Sequence, residues 1–177
     1  MNLFKHLKMV NKHRKEVRRL CFKCGLYWQG LTHDLSKYSI IEFNEGIKYY
    51  DGTKSPTAVC RELTGKSEAW EYHKRKNKHH PEYWINQQND FLMPYNYLVE
   101  SICDRIAACK IYKSQEYTKL EPLKYWNKQK EKGYQIHPKI AKVYDIVFSE
   151  FSEKGEKILN KNYLTDVYNK VFKEENI

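Results

Sequence analysis

Apolar side chains recur three, four or seven positions apart through the start of the chain, at Leu3, Leu7, Val10, Val17, Cys21 and Cys24. That interval is the period of one helical face, and it predicts an amphipathic helix from about Asn2 to Cys24 with Gly25 as its stop. The same period returns in Ile40, Ile41, Phe43 and Ile47, in a segment that Ser36 introduces as an N-cap region and Asp51-Gly52 ends. It returns again in Leu98, Ile102, Ile106 and Cys109, within a helix that Pro94 opens and that runs from about Tyr95 to Lys113. Ile140, Val143, Ile146, Val147 and Phe151 mark a helix from Pro138 to about Leu159, and Leu164, Val167 and Val171 mark a last one over Tyr163 to Glu174. Shorter helices are expected at Tyr27 to His33 and from Ser67 through about Lys76. Thr53 to Lys66 reads as polar and irregular with one helical turn at Ala58 to Leu63, and Leu120 to Gly133 as a loop with a short helix. The fold expected is all-α, in one domain over residues 1–177. Neither a repeat nor a linker divides the chain, and 177 residues suffice for a real core.

Lys and Arg number 32 against 22 Asp and Glu, a net charge of +10. Such a balance favours anionic partners, among them nucleotides, nucleic acid and phosphorylated metabolites, and equally describes a solvated basic surface. No stretch approaches the roughly 20 apolar residues of a membrane span. Met1 to Val10 lacks the apolar core of a secretory signal. Five cysteines, an odd number, then read as reduced thiols in a cytoplasmic protein. Cys21 and Cys24 form a Cys-x-x-Cys, but both fall on the apolar stripe and no second pair accompanies them, so core packing outweighs zinc or redox chemistry.

Against this pattern stand His13, the dipeptide His33-Asp34 within His33-Asp34-Leu35-Ser36-Lys37, His73, the pair His79-His80 before Pro81, and Asp104. Imidazole nitrogens and carboxylate oxygens are ligands for first-row transition metals and for Mg²⁺ or Mn²⁺. Seven such groups are enough for two ions with positions open to water and substrate. His13 lies within about 60° of the centre of the first helix's apolar stripe at about 100° per residue, so it points inward. His6 shares that direction and is its rival. A packed, hydrogen-bonded core histidine is the bland reading of either. Asp104 sits opposite the aliphatic stripe of its helix, beside Tyr97, Ser101, Ala107, Ala108 and Ile111. An exposed acid is its default, but small neighbours argue for a covered second face.

The order His, His-Asp, His, His-His, Asp resembles the HD-domain metal-dependent phosphohydrolases. The extra His and the His-His pair are similar to the dinuclear branch, which includes HD-type cyclic-dinucleotide phosphodiesterases and mixed-valent di-iron oxygenases. The strings GLTHDLSKYS, NKHHPEYW and DRIAACKIY also resemble a small family of bacterial and phage proteins of unassigned function. The pattern covers the first two thirds of the chain. It implies an HD-like helical bundle with a metal-site core over about 1–115 and C-terminal helices over about 137–175. It also implies two divalent ions (Fe, Mn, Mg, Co or Zn), with Asp34 bridging them. His13, His33 and Asp104 would complete one site, and His73 with His79 or His80 the other. Lys37 matches a lysine of many HD phosphodiesterases and would add positive charge at the phosphate. Arg105, or Arg75 in the run Lys74-Arg75-Lys76, could hold a second phosphate. Met9 stands where trinuclear relatives place an acid, so no third ion is expected. The resemblance implies hydrolysis of a phosphate ester of a nucleotide or other small phosphorylated molecule by a metal-activated water. Di-iron oxygenation, or a basic nucleic-acid- or partner-binding protein without turnover, are the alternatives.

Overall fold

The computed structural model describes residues 2–85 and 93–173, and among these it contains ten α-helices, three 3-10 turns and no strand. α1 (Asn2–Lys23) buries His6, Val10, His13, Val17, Leu20 and Cys21 on one face. α2 (Tyr27–Thr32) folds back against it through Gly30, which packs on Phe22 and Cys21 so closely that a Cβ there would lie 3.0 Å from the Phe22 ring. α3 (Ile40–Lys48), α4 (Pro56–Thr64) and α5 (Glu68–Lys76) follow, then the single turn α6 (Glu82–Ile85). α7 (Tyr95–Lys113) buries residues on every side, from Leu98, Glu100 and Ser101 to Arg105, Ala107 and Ile111. A helix covered all round is an interior helix. α8 (Glu121–Glu131), α9 (Pro138–Lys154) and α10 (Lys161–Phe172) complete the chain, and α7 packs against α1, α2, α8 and α10.

One apolar cluster runs through the C-terminal half of α1, α7, α8, α9 and α10, with Leu20, Ile106, Trp126, Tyr144 and Phe148 fully buried. Cys24 and Cys103 lie 3.9 Å apart within it as free thiols, which is the packing role expected of the Cys-x-x-Cys. No helix of the described residues is long and apolar enough to cross a membrane.

Three segments differ from the sequence expectation. Thr53 to Lys66 holds a full helix, α4, because Ser55 caps it by accepting from the Ala58 amide, Pro56 takes its first turn and Gly65, at φ +78°, ends it. α8 is eleven residues long, and buries Pro122 and Trp126 under a polar exterior. The helix from Pro138 stops at Lys154, where Gly155 at φ +63° turns the chain into a 3-10 segment, and Asn160 caps a separate α10 that starts at Lys161 rather than Tyr163. Glu174, the end expected for that helix, lies outside the described residues. The cap of α3 is Ser39, which accepts from the Glu42 amide, while Ser36 belongs to the 3-10 turn Leu35–Tyr38 before it.

Candidate metal centre

The seven His and Asp residues of the sequence pattern converge between α1 and α7 on one side and α3, α5 and the turn after α5 on the other. α1 supplies His13 and α7 supplies Asp104. His33 is the C-cap of α2, and Asp34 follows it in a left-handed conformation, φ 52° and ψ 31°. That backbone is uncommon outside glycine. Arg14 clamps the same corner, donating to the carbonyls of His33 at 2.7 Å and Leu31 at 3.2 Å.

Asp34 is 2 % exposed, and its two oxygens divide the array between them. Oδ1 faces Nε2 of His73 at 3.4 Å and of His79 at 3.5 Å. Oδ2 faces Nε2 of His33 at 3.5 Å and of His13 at 3.9 Å, with the Lys37 ammonium at 3.4 Å. Asp104 Oδ1 reaches Nε2 of His13 at 3.0 Å and of His33 at 3.5 Å. Nε2 of His80 lies 2.9 Å from Nε2 of His73. Two four-residue groups result, His13–His33–Asp34–Asp104 and Asp34–His73–His79–His80. In each, the donor atoms lie within 4.8 Å of one another.

Two carboxylates behind the array orient it. Glu42 Oε2 accepts from Nδ1 of His73 at 2.7 Å. Glu100 Oε1 lies 2.8 Å from Nδ1 of His33 and 3.3 Å from Nδ1 of His79, one imidazole from each group. An Nδ1–H committed to a carboxylate leaves the Nε2 lone pair aimed inward, the tautomer a metal requires. Neither glutamate was singled out from the sequence. Glu100 stands one helical turn before Asp104 and so shares its face. Glu42 sits between Ile41 and Phe43 inside an apolar run.

Burial opposes ionisation of Asp34, yet the surrounding His33, Lys37, His73 and His79 hold its carboxyl well below the usual range. Asp104 is likewise held well below that range, with His13 and His33 overcoming its burial. Burial works against a charged His33, but Asp34, Asp104 and Glu100 outweigh it and hold its pKa well above the ordinary value. Burial lowers His80, with His79 and His73 adding to the effect, and burial with Lys37 lowers His73. Ionised Asp34 and Asp104, with His73 and His80 lowered, are in the protonation states that ligate divalent metals, and at His33 a divalent ion would take the place of the proton that its carboxylate neighbours hold. Asp34 Oδ1 and His79 Nε2, 3.5 Å apart, are both buried without a hydrogen-bond partner among the described residues. Such a pair of acceptor-capable atoms is costly unless a cation joins them, so the donor set fits divalent ions.

A cavity of about 310 Å³ opens on the array and is lined by His13, Asp34, Lys37, His73, His80 and Asp104. His6 also lines it but belongs to neither donor group. It packs against Phe43 and Tyr50, and so tightly on Gly46 that a Cβ there would meet His6 Nε2 at 2.2 Å. Burial, with Lys37 nearby, lowers its pKa to about 4. Arg105 reaches the cavity from beneath a set of aromatic rings. The run Lys74-Arg75-Lys76 does not reach it: Arg75 donates to the Glu71 carbonyl, Lys74 pairs with the Glu71 carboxylate at 2.7 Å, and Lys76 lies over the Tyr72 ring.

The fold and the site together define an all-helical protein whose interior carries five imidazoles and two carboxylates in two groups sharing Asp34. The chain belongs to the Family of unknown function (DUF5662), whose model matches residues 2–150. That span takes in every residue of the array and ends within α9. No curated protein and no solved structure matches the chain.

Proposed function

We propose that this protein is a metal-dependent phosphohydrolase of the HD-domain type, acting on a phosphate ester of a small molecule. The observation that carries the reading is the division of Asp34, with one oxygen facing each donor group and the Lys37 ammonium beside it. The order of the donors along the chain, which resembles that of the dinuclear HD enzymes, supports it, as does the net charge of +10. In this reading His13, His33, Asp34 and Asp104 hold one divalent ion, and Asp34, His73, His79 and His80 hold the other. Bound there, the ions supply Lewis acidity to a phosphate oxygen and acidity to an attacking water. The chain's own part is positional. Glu42 and Glu100 fix the imidazole rings, and Lys37 places a positive charge where the phosphate's negative charge grows in the transition state.

The test is phosphate release from p-nitrophenyl phosphate and from nucleoside monophosphates by protein loaded with Mn²⁺ or Fe²⁺. Lys37→Ala should lower turnover by roughly 10²-fold or more with metal content unchanged. Full activity in that variant removes Lys37 from the chemistry. Iron-dependent O₂ consumption without phosphate release would favour the oxygenase reading of the same donors.

A further inference from the structure

Beyond the two donor groups, the same cavity is lined by Glu82 of α6, Arg105 of α7 and Tyr125 and Gln129 of α8, a lobe of side chains that the metal array does not use. Arg105 lines it and is 9 % exposed. Its guanidinium lies under four aromatic rings, from Tyr144 at 4.7 Å to Tyr125 at 6.0 Å. It donates to Gln129 Oε1 and reaches the Tyr144 hydroxyl. Five N–H donors on one guanidinium leave others for a ligand, and among the described residues no carboxylate forms an ion pair with it. Glu82 enters the same lobe from α6. Its Oε2 is buried without a hydrogen-bond partner among the described residues, and its carboxylate stands beside the Tyr134 hydroxyl. The Tyr134 ring is 5.6 Å from the Arg105 guanidinium. The two opposite charges thus flank one tyrosine and line one cavity, yet do not pair with each other. A buried guanidinium without a carboxylate partner is expensive, as is an unpartnered carboxylate oxygen, and a ligand presenting an acceptor to Arg105 and a donor to Glu82 would satisfy both.

We propose that this lobe is the recognition pocket for a 6-oxopurine ring, so that the substrate is a guanine-type nucleotide. The inference rests on the phosphohydrolase reading for the phosphate end alone. An arginine fork matches the paired acceptors O6 and N7 of such a ring. A carboxylate accepts from its N1–H and exocyclic N–H₂. The side-chain amide that would best read adenine, Gln129, is already engaged through its Oε1 by Arg105. Tyr125, half exposed beside the lobe, offers a ring face for stacking.

Titration calorimetry of the full-length, Mn²⁺-loaded protein with guanosine, adenosine and inorganic phosphate, each alone, tests it. Guanosine should bind about tenfold or more tightly than adenosine. Glu82→Gln, which keeps the side chain's shape, and Arg105→Lys, which keeps the charge but loses the fork, should each cost guanosine about tenfold. Both should leave phosphate binding in place, with circular dichroism melts showing folded variants. Equal binding of the two nucleosides, no guanosine binding, or guanosine binding unaffected by folded variants would each overturn the pocket. Failure of the phosphate reading shows separately, as absent phosphate binding beside intact guanosine discrimination.

Discussion

Asp34 is the residue on which the site turns. Its left-handed backbone, at φ 52°, costs about 1 kcal/mol relative to an ordinary conformation. What that conformation achieves is geometric: the carboxylate stands at the meeting point of four imidazoles from three parts of the chain. Glu100 shows the same economy, since one oxygen serves an imidazole in each group. Glu100→Gln keeps the shape but replaces an acceptor with a group that can also donate, loosening the Nδ1–H contact to His33 and His79. Such changes behind a metal ligand cost about 10–100-fold in affinity. We expect both metal affinities to fall by that much with helical content unchanged, measured by competition with a chromophoric chelator. Undiminished affinity at both sites would remove Glu100 from the orientation of the array. That His13, His33, Asp34, His73, His79, His80 and Asp104 come together was legible in the sequence, because these polar groups stood at inward-facing or adjacent positions in an order that resembles the HD-domain ligand order. Glu42 and Glu100 were not, because an acid within a helical pattern reads as solvent-facing until the opposing helix is placed.

At the scale of elements, periodicity found the helices whose partners lie on one side. α1, α7, α9 and α10 show the apolar interval clearly, although α7 proved buried on its polar side as well. α4 and α8 were expected only as a helical turn and a short helix, because few large apolar residues mark them; caps and prolines, at Ser55-Pro56 and Pro122, carry the signal for their full length. The charged joint that ties elements together was also beyond sequence spacing. Glu16 of α1 and Glu156, in the turn after α9, share Arg19 and Lys110, and Lys23 reaches Glu156 at 2.9 Å. Arg19 above all holds the Glu156 carboxyl well below its ordinary range against its partial burial, with Lys110 and Lys23 adding to it. Glu16 is lowered by Arg19 first, burial opposing, and then by Lys110. A carboxylate with a depressed folded pKa contributes stability above its unfolded pKa of about 4.3 and loses it as pH falls through the folded value. Glu156→Gln should therefore cost about 1 kcal/mol at pH 7, and the gap to wild type should shrink steadily below about pH 5. Denaturant melts across that range check it; a gap that widens on acidification would contradict the assignment.

Across the whole molecule, two kinds of interior share the central helix. One end of α7's surroundings is an apolar cluster of α1, α8, α9 and α10, and the other is the polar array capped by α3 and α5. The family match over residues 2–150 contains the array and most of the helices that buttress it. The long-range packing that creates a covered second face on α7, and with it the Arg105 lobe, could not be seen in the sequence, because no local spacing reports which helices meet there. Metal ligation would join His13 near the start of the chain to Asp104 in its middle, and binding that depends on the folded array is coupled to folding.

The central claim is that two ions share Asp34. Elemental analysis of protein purified without a metal-affinity tag, with Asp34→Ala alongside, tests it most directly. The account predicts close to two equivalents of divalent metal in the wild type, and almost none in a variant that keeps its helical circular dichroism. Full metal retained by Asp34→Ala, or no metal in the wild type even after reconstitution, would contradict it.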